Sequence, residues 1–359
     1  MALIHGGQLQ QVAQQYNIPI EQWLDLSTGI APLSYPIPPI MENVWQNLPQ
    51  HNPELITNAK HYYQCKNVTV TNGSQAIIKV LPALWQQKNS DSKHVYLPEF
   101  GYKEHAQAWR QAGYQLHFYS DNLPPENNII SNSVLVIINP NNPTGKLFKR
   151  KTLVQYQQLM QKLKGLLVID EAFIDVISSE QSMCSTTENG NTLVFRSFGK
   201  FFGLAGIRIG FLIANKNWCS TFNEHLGPWQ INGPAQVIAM YALKDVAWHQ
   251  QQKLKLNALR KHQEALLWHV IGNDIIADIN GNDLFLTITF YQSTIAEELY
   301  NLLCKQAVYV RLTDEKDKIR MGITTQCGLE KLKKTLILIV RNIKSASKSL
   351  ALKKHNQKS

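Results

Sequence analysis

Short apolar runs rich in Val, Ile and aromatic residues recur along the chain between longer stretches in which apolar positions fall three and four apart. The first pattern predicts strands and the second predicts helices. Strands are predicted at Val68–Thr71, His94–Leu97, Val134–Asn139, Leu166–Asp170, Thr192–Phe195 and Arg208–Ala214. Helices are predicted over Ser74–Gln86, Tyr102–Gln111 and Lys149–Lys164. The runs starting at Val134 and Leu166 are apolar throughout rather than alternating, which predicts central strands covered on both faces. Strands alternating with helices in this way predict an α/β fold around a mostly parallel sheet.

Pro234 opens an uninterrupted helical pattern reaching about His269, expected as one helix that links two domains. Beyond it, a strand at Leu284–Phe290, a helix from Thr294, strands at Val308–Arg311 and Ile319–Thr324 and a helix from Cys327 predict a smaller α/β domain. Near the N-terminus a short helix is predicted around Gly7–Tyr16, after which Pro32, Pro36, Pro38 and Pro39 enforce an extended path. The expected organisation is an arm over 1–45 that joins the small domain and the active site, a large domain over 46–269, a small domain over 270–344 and a basic, disordered tail over 345–359.

Charge at first points elsewhere. The 359 residues carry 36 Lys+Arg against 26 Asp+Glu, a formal net charge of +10, which invites a nucleic-acid or anionic-membrane partner. Nine of those basic residues and no acidic ones lie in 331–359, so residues 1–330 hold 27 against 26, or +1. The excess belongs to the last helix and tail, and neither a nucleic acid nor a membrane is expected as a partner. A hydrophobic content of 44% with 17% charged residues excludes disorder. The five cysteines, at 65, 184, 219, 304 and 327, contain no C-x-x-C and suit neither a disulfide framework nor a zinc site. No secretory pattern and no apolar run of about 20 residues is present, so a reducing cytoplasm is the expected compartment.

Three segments carry chemistry. In Ser197-Phe-Gly-Lys-Phe-Phe-Gly-Leu-Ala-Gly-Ile-Arg-Ile-Gly-Phe211 a lysine sits in a glycine-rich loop between two predicted strands. Such a lysine can act as an amine nucleophile on an aldehyde, while the nearby hydroxyl of Ser197 and guanidinium of Arg208 can hold a phosphate. Asn139-Pro-Asn-Asn-Pro-Thr-Gly145 leaves the end of a buried strand, where α/β sheets place ligands, although a Pro-rich turn explains its prolines equally well. Val168-Ile-Asp-Glu-Ala-Phe173 puts Asp170 at the end of the next apolar strand, where a carboxylate needs a cation such as a protonated pyridine nitrogen.

Together these segments resemble the pyridoxal-5′-phosphate enzymes of fold type I, the aminotransferase class I/II fold, over about residues 5–345. The resemblance implies Lys200 as the Schiff-base lysine, Asp170 as partner of the ring nitrogen and Asn142 as partner of the ring's 3′-oxygen. Ser197, Arg208, Ser74 and Gln75 are implied as phosphate ligands, the last two in Asn72-Gly-Ser-Gln-Ala76 at the start of a helix. Phe100 of Pro98-Glu-Phe-Gly-Tyr102 is implied to stack on the ring, with Tyr102 as the alternative. Phe173 stands where many relatives carry Tyr, which removes one hydrogen bond to the 3′-oxygen. A homodimer is implied as well.

The reaction is read from the arm. His5-Gly-Gly, Trp23-Leu-Asp-Leu-Ser-Thr-Gly-Ile-Ala-Pro32, Tyr35-Pro-Ile-Pro38 and Asp170-Glu-Ala-Phe-Ile-Asp175 resemble the threonine-phosphate decarboxylases of cobalamin biosynthesis. That resemblance implies decarboxylation of L-threonine O-3-phosphate to (R)-1-amino-2-propanol O-2-phosphate. It further implies Arg320 as the clamp of the α-carboxylate and Arg311 as that of the substrate phosphate, with Asn142 in contact and His5 and Gly6 closing over it. Relatives commonly have Asn where Ala31 stands, so a substrate hydrogen bond worth roughly 1.5 to 3 kcal/mol is lost unless a neighbour supplies it. A histidinol-phosphate-type aminotransferase is the second reading, and a non-catalytic basic binding protein a distant third.

Overall fold

Five consecutive apolar positions can all be buried only in a strand covered on both faces, and every residue of Val134–Ile138 is buried. The structure is a computed structural model that describes residues 6–89 and 92–355, with side chains through 340. The chain opens with α1 (Leu9–Tyr16), β1 (Leu24–Asp25), α2 (Glu42–Gln46) and α3 (Pro53–Tyr63). Alternation follows through β2 (Val68–Thr71), α4 (Gly73–Lys88), β3 (His94–Pro98), α5 (Lys103–Gln111), β4 (Gln115–Tyr119), β5 (Val134–Ile138), α6 (Arg150–Lys162) and β6 (Leu166–Asp170). Next come β7 (Thr192–Ser197), α7 (Phe198–Phe201), β8 (Gly210–Ile213), α8 (Lys216–Leu226), α9 (Gly233–Lys244) and α10 (Val246–Ile271). The remainder comprises β9 (Ile276–Asn282), β10 (Phe285–Phe290), α11 (Thr294–Lys305), β11 (Val308–Tyr309), β12 (Arg311–Leu312), β13 (Lys318–Gly322) and α12 (Gln326–His355).

The chain divides into two units, residues 33–253 and residues 1–32 with 254–359. The larger unit holds a seven-stranded sheet in the order β2-β8-β7-β6-β5-β3-β4, in which β8 alone runs antiparallel to its neighbours. One of its faces packs Ile77, Leu81, Trp85 and Trp109 against Val134, Val136, Val168 and Phe195. The smaller unit has a four-stranded antiparallel sheet in the order β12-β13-β10-β9 and a parallel pair, β1 with β11. Its core joins Leu286, Ile288, Ile319 and Met321 to Leu299, Leu303, Leu332 and Leu336.

Each central strand lies where its apolar run predicts. Four expectations are corrected. The stretch from Pro234 to His269 is two helices, because Asp245 leaves helical geometry (ψ 75°) and its Oδ1 accepts the Trp248 amide at 3.0 Å, capping α10. The run at Val308–Arg311 is divided between two sheets, Val308 pairing with Leu24 and Arg311 with Arg320. The unit boundaries fall at 32/33 and inside α10 at 253/254 rather than at 45 and 269, so the arm is shared between the units. Finally, the tail expected to be disordered continues the backbone of α12 to His355, while 356–359 lie outside the described residues. Strand β4, at the sheet edge, is an addition. Among the described residues no helix is long and apolar enough to cross a membrane.

Buried titratable groups give the larger unit a pH signature. His249, 8% exposed, donates its Nε2–H to the Ala242 carbonyl at 2.6 Å, and burial pushes its pKa below 6.5. His117 is lowered too, by burial and by His94, whose Nδ1 lies 2.9 Å away. A lowered base is neutral in the folded chain while the unfolded chain still binds the proton, so stability is full above about pH 6.5 and falls as pH drops through the folded pKa. We expect denaturant melts at pH 7.5 and 5.5 to show this loss, and His249→Gln to show a smaller one. An equal loss in both proteins would rule out His249 as a source.

Candidate active site

Parallel strands end at one edge of the sheet, and loops there converge. Asp170 is the last residue of β6, Ser197 the last of β7, and Asn142 and Tyr102 follow β5 and β3 by four residues. With Ser74, Gln75, Lys200, Arg208 and Phe173 they line one cavity of about 140 Å3 inside the larger unit.

Its walls are set by hydrogen bonds in the loops. Asn139 is fully buried; its side chain accepts from Phe148 N at 2.7 Å and donates to Phe148 O at 3.2 Å, folding the 139–148 loop back on itself. Asn141 Nδ2 donates to the Phe100 carbonyl at 2.6 Å, joining this loop to the turn after β3. The Phe100 backbone thus joins the scaffold, and Tyr102 and Phe173 are aromatic residues that line the cavity. The Tyr102 hydroxyl donates to Gln75 Oε1 at 3.1 Å, and Gln75 Nε2 donates to Glu104 Oε2 at 2.5 Å. That amide is therefore engaged with protein groups, leaving the start of α4 to offer backbone N–H groups.

Asp170 is 3% exposed. Its Oδ2 lies 2.9 Å from His105 Nε2, and its Oδ1 accepts from Ala172 N at 3.0 Å. His105 stacks on Phe195 at 6.1 Å and 13°. Sequence reading missed His105. The available signal was its place in the first turn of α5, three residues after Tyr102, the N-cap of that helix. Also missed was Arg196, 5% exposed, whose Nη1 lies 3.3 Å from Glu171 Oε2 and whose Nη2 bonds Asp175. Burial pushes the Glu171 carboxyl up, and the Arg196 guanidinium partly offsets this. These pairs fix the segment after β6 to β7, with Phe173 placed 5.4 Å from Lys200 Nζ, ring centroid to nitrogen.

Two glycines make an anion cradle. Gly73 has φ +69°, and a Cβ there would come within 2.9 Å of Arg208 Nη2. A Cβ on Gly210 would meet Ser74 N at 2.8 Å. Arg208, the hydroxyls of Ser74 and Ser197 and the first N–H groups of α4 suit a phosphate; Asp170 suits a protonated ring nitrogen and Lys200 an aldehyde. The donor set fits pyridoxal phosphate. Among the described residues no group of three or more His, Cys, Asp or Glu could hold a metal ion.

The remaining predicted residues lie in the smaller unit. Arg311 on β12 and Arg320 on β13 are cross-strand partners. Arg311 Nη2 donates to Asp314 Oδ1 at 2.6 Å, and Arg320, 8% exposed, donates through Nη2 to the Ser27 carbonyl at 2.6 Å. Ser27 Oγ accepts from Gly7 N at 2.8 Å, and a Cβ on Gly6 would meet Ser27 O at 2.2 Å, so Gly6, Ser27 and Arg320 form one cluster. His5 lies outside the described residues.

The sequence of residues 41–332 matches the family described as aminotransferase class I and II. The chain belongs to this family. It is 35% identical over 325 residues to a threonine-phosphate decarboxylase of Pseudomonas aeruginosa, covering 89% of this chain and 93% of that one. A second protein of that name, from a Sinorhizobium species, is 34% identical over 66% of this chain and 70% of its own. In fold, the chain is similar to histidinol-phosphate aminotransferase of Sinorhizobium meliloti in complex with pyridoxal-5′-phosphate, with a TM-score of 0.78 and 16% identity over 95% of this chain and 96% of that one. As a member of this pyridoxal-phosphate-dependent family, the chain takes that cofactor.

Gly73→Ala is expected to cost about 1 to 2 kcal/mol in left-handed backbone strain and to push Arg208 aside. Pyridoxal phosphate affinity, followed by absorbance titration, then falls roughly tenfold or more. Unchanged affinity would mean that Arg208 does not depend on that glycine.

Proposed function

We propose that this chain decarboxylates L-threonine O-3-phosphate with pyridoxal phosphate as cofactor, giving (R)-1-amino-2-propanol O-2-phosphate and carbon dioxide for cobalamin biosynthesis. The observation that carries the choice of substrate is the Arg311–Arg320 cross-strand pair. Asp314 Oδ1 and Ser27 O hold the two guanidinium groups side by side, an arrangement that suits a substrate bearing both a carboxylate and a phosphate. The names of the two relatives at 34 and 35% identity support the same reading.

Bound pyridoxal phosphate supplies an electron sink for the pair released at Cα. Lys200, which lines the cavity, is the amine that would hold it. Asp170, held by His105 and the Ala172 amide, keeps a proton on the ring nitrogen. Asn142 bonds the 3′-oxygen, Tyr102 covers the ring face, and Arg208 with Ser74, Ser197 and the Gln75 backbone takes the phosphate. We assign the substrate carboxylate to Arg320 and its phosphate to Arg311, with Gly6 and His5 as further substrate-binding residues. By anchoring the carboxylate, Arg320 would decide whether the carboxylate or the proton is the group that leaves Cα. Lys200 is then the acid that returns a proton to Cα. We assign the working form to a homodimer in a reducing cytoplasm, where the five free cysteines remain thiols.

Incubation with threonine phosphate is expected to release carbon dioxide and aminopropanol phosphate with no 2-oxo acid present. Product that forms only with a 2-oxo acid acceptor would make the chain an aminotransferase. Lys200→Ala is expected to abolish turnover without unfolding the protein, as checked by circular dichroism. Arg311→Ala is expected to raise KM for threonine phosphate by roughly ten- to a hundredfold through loss of a charged hydrogen bond. An unchanged KM would remove Arg311 from the site.

A further inference from the structure

Helix α7, which carries Lys200, is four residues long and cannot hold itself in place. Its closing bonds are long: Phe202 N to Phe198 O at 3.5 Å and Gly203 N to Lys200 O at 3.4 Å. The carbonyls after the lysine are held from outside. Gln252 on α10 is 2% exposed, and its Nε2 donates to Phe201 O at 3.2 Å and to Leu33 O at 2.7 Å. Tyr35 N donates to Phe202 O at 2.9 Å. Rings close the arrangement, with Phe202 lying parallel to Phe198 at 4.1 Å and to Trp248 at 5.5 Å.

The position of Gln252 in the chain adds a second fact. The backbone passes between the two units twice, at Pro32–Leu33 and at Lys253–Leu254. Gln252 is one residue before the second passage and is bonded to the residue that begins after the first. A single amide therefore ties both passages to the carbonyl next to Lys200. An uncharged amide with two N–H donors suits two carbonyls in a buried setting.

We propose that Gln252 is a positioning residue for Lys200, fixing the direction from which its amine meets the cofactor through the Gln252 bonds to Leu33 O and Phe201 O. A displacement of either chain passage reaches the lysine backbone through this amide. The proposal rests on the reading of Lys200 as the cofactor-holding lysine.

Gln263, eleven residues further along α10, supplies a matched control. It is fully buried, and its side chain donates to Gly322 O at 2.9 Å and accepts from Thr324 N at 3.0 Å. Gln252→Leu and Gln263→Leu each remove two buried hydrogen bonds from one helix. In the holoenzymes, borohydride reduction followed by peptide mapping is expected to place the cofactor on Lys200 in the wild type and in both variants. Label on another lysine in the wild type would overturn the reading of Lys200 itself. The visible circular dichroism of bound pyridoxal phosphate is expected to fall by roughly half or more in Gln252→Leu and to be unchanged in Gln263→Leu. Equal changes in the two variants, or none in Gln252→Leu, would overturn the role of Gln252. Gln252→Glu provides a test within one folded protein. Its carboxylate repels both carbonyls, whereas its protonated form donates to one, so the dichroism is expected to recover as pH falls. A signal that does not recover would also count against the proposal.

Discussion

A carboxylate at the end of a strand whose other four residues are apolar and buried has to be paired, and much of the larger unit is arranged around that requirement. Asp170 meets it with His105 on one oxygen and a backbone amide on the other. His105 can reach Asp170 only if the first turn of α5 lies against the ends of β5 and β6. The same turn then presents Tyr102 to the cavity and Glu104 to Gln75. In this way the Asp170 side and the Gln75 side of the cavity are set by one helix start. On the other flank, Arg196 with Glu171 and Asp175 holds the chain that follows Asp170. Breaking such a buried pair from one side costs about 3 to 5 kcal/mol, so the segment has little freedom to drift.

The parts of this arrangement that were legible in sequence share a physical trait: they are dictated locally. An apolar run such as Leu166–Asp170 has one solution, and glycines such as Gly73 and Gly210 mark places where backbone must approach backbone or a guanidinium. The residues lining the cavity sit at strand ends or helix starts, which a periodicity argument can place. What escaped depends on neighbours distant in sequence. Strand β4 is an edge strand with a half-exposed, mixed composition, and its pairing with β3 defines it more than its own residues do. The break at Asp245 hides in a run with no Gly or Pro, since the Asp side chain there accepts the Trp248 amide in the first turn of the next helix. Phe100 and Tyr102 are two residues apart on one turn, and Asn141, about forty residues away in sequence, takes the Phe100 carbonyl.

The smaller unit shows the converse balance of charge. Its two central arginines are brought opposite each other by the β12–β13 register, and backbone and side-chain oxygens of the same unit, Ser27 O and Asp314 Oδ1, hold them there. Close approach of glycine makes this possible: a Cβ on Gly322 would lie 2.2 Å from Thr28 O, and its amide donates to Leu26 O at 2.7 Å. The arm residues 26–28 are thereby fastened beside β13, with the Arg311 guanidinium paired to a carboxylate and that of Arg320 bonded to the Ser27 carbonyl.

The pairing of Ser197 with Gly210 in the antiparallel β7–β8 ladder has a thermodynamic consequence. It makes the stretch bearing Lys200 and Arg208 a loop clamped at both feet, unlike the open crossovers between the parallel strands. The entropy of closing such a loop grows only with the logarithm of its length, and strand pairing at its feet offsets that part, while the bonds from Gln252 and Tyr35 order the interior. Less configurational entropy is then left to be lost when pyridoxal phosphate binds.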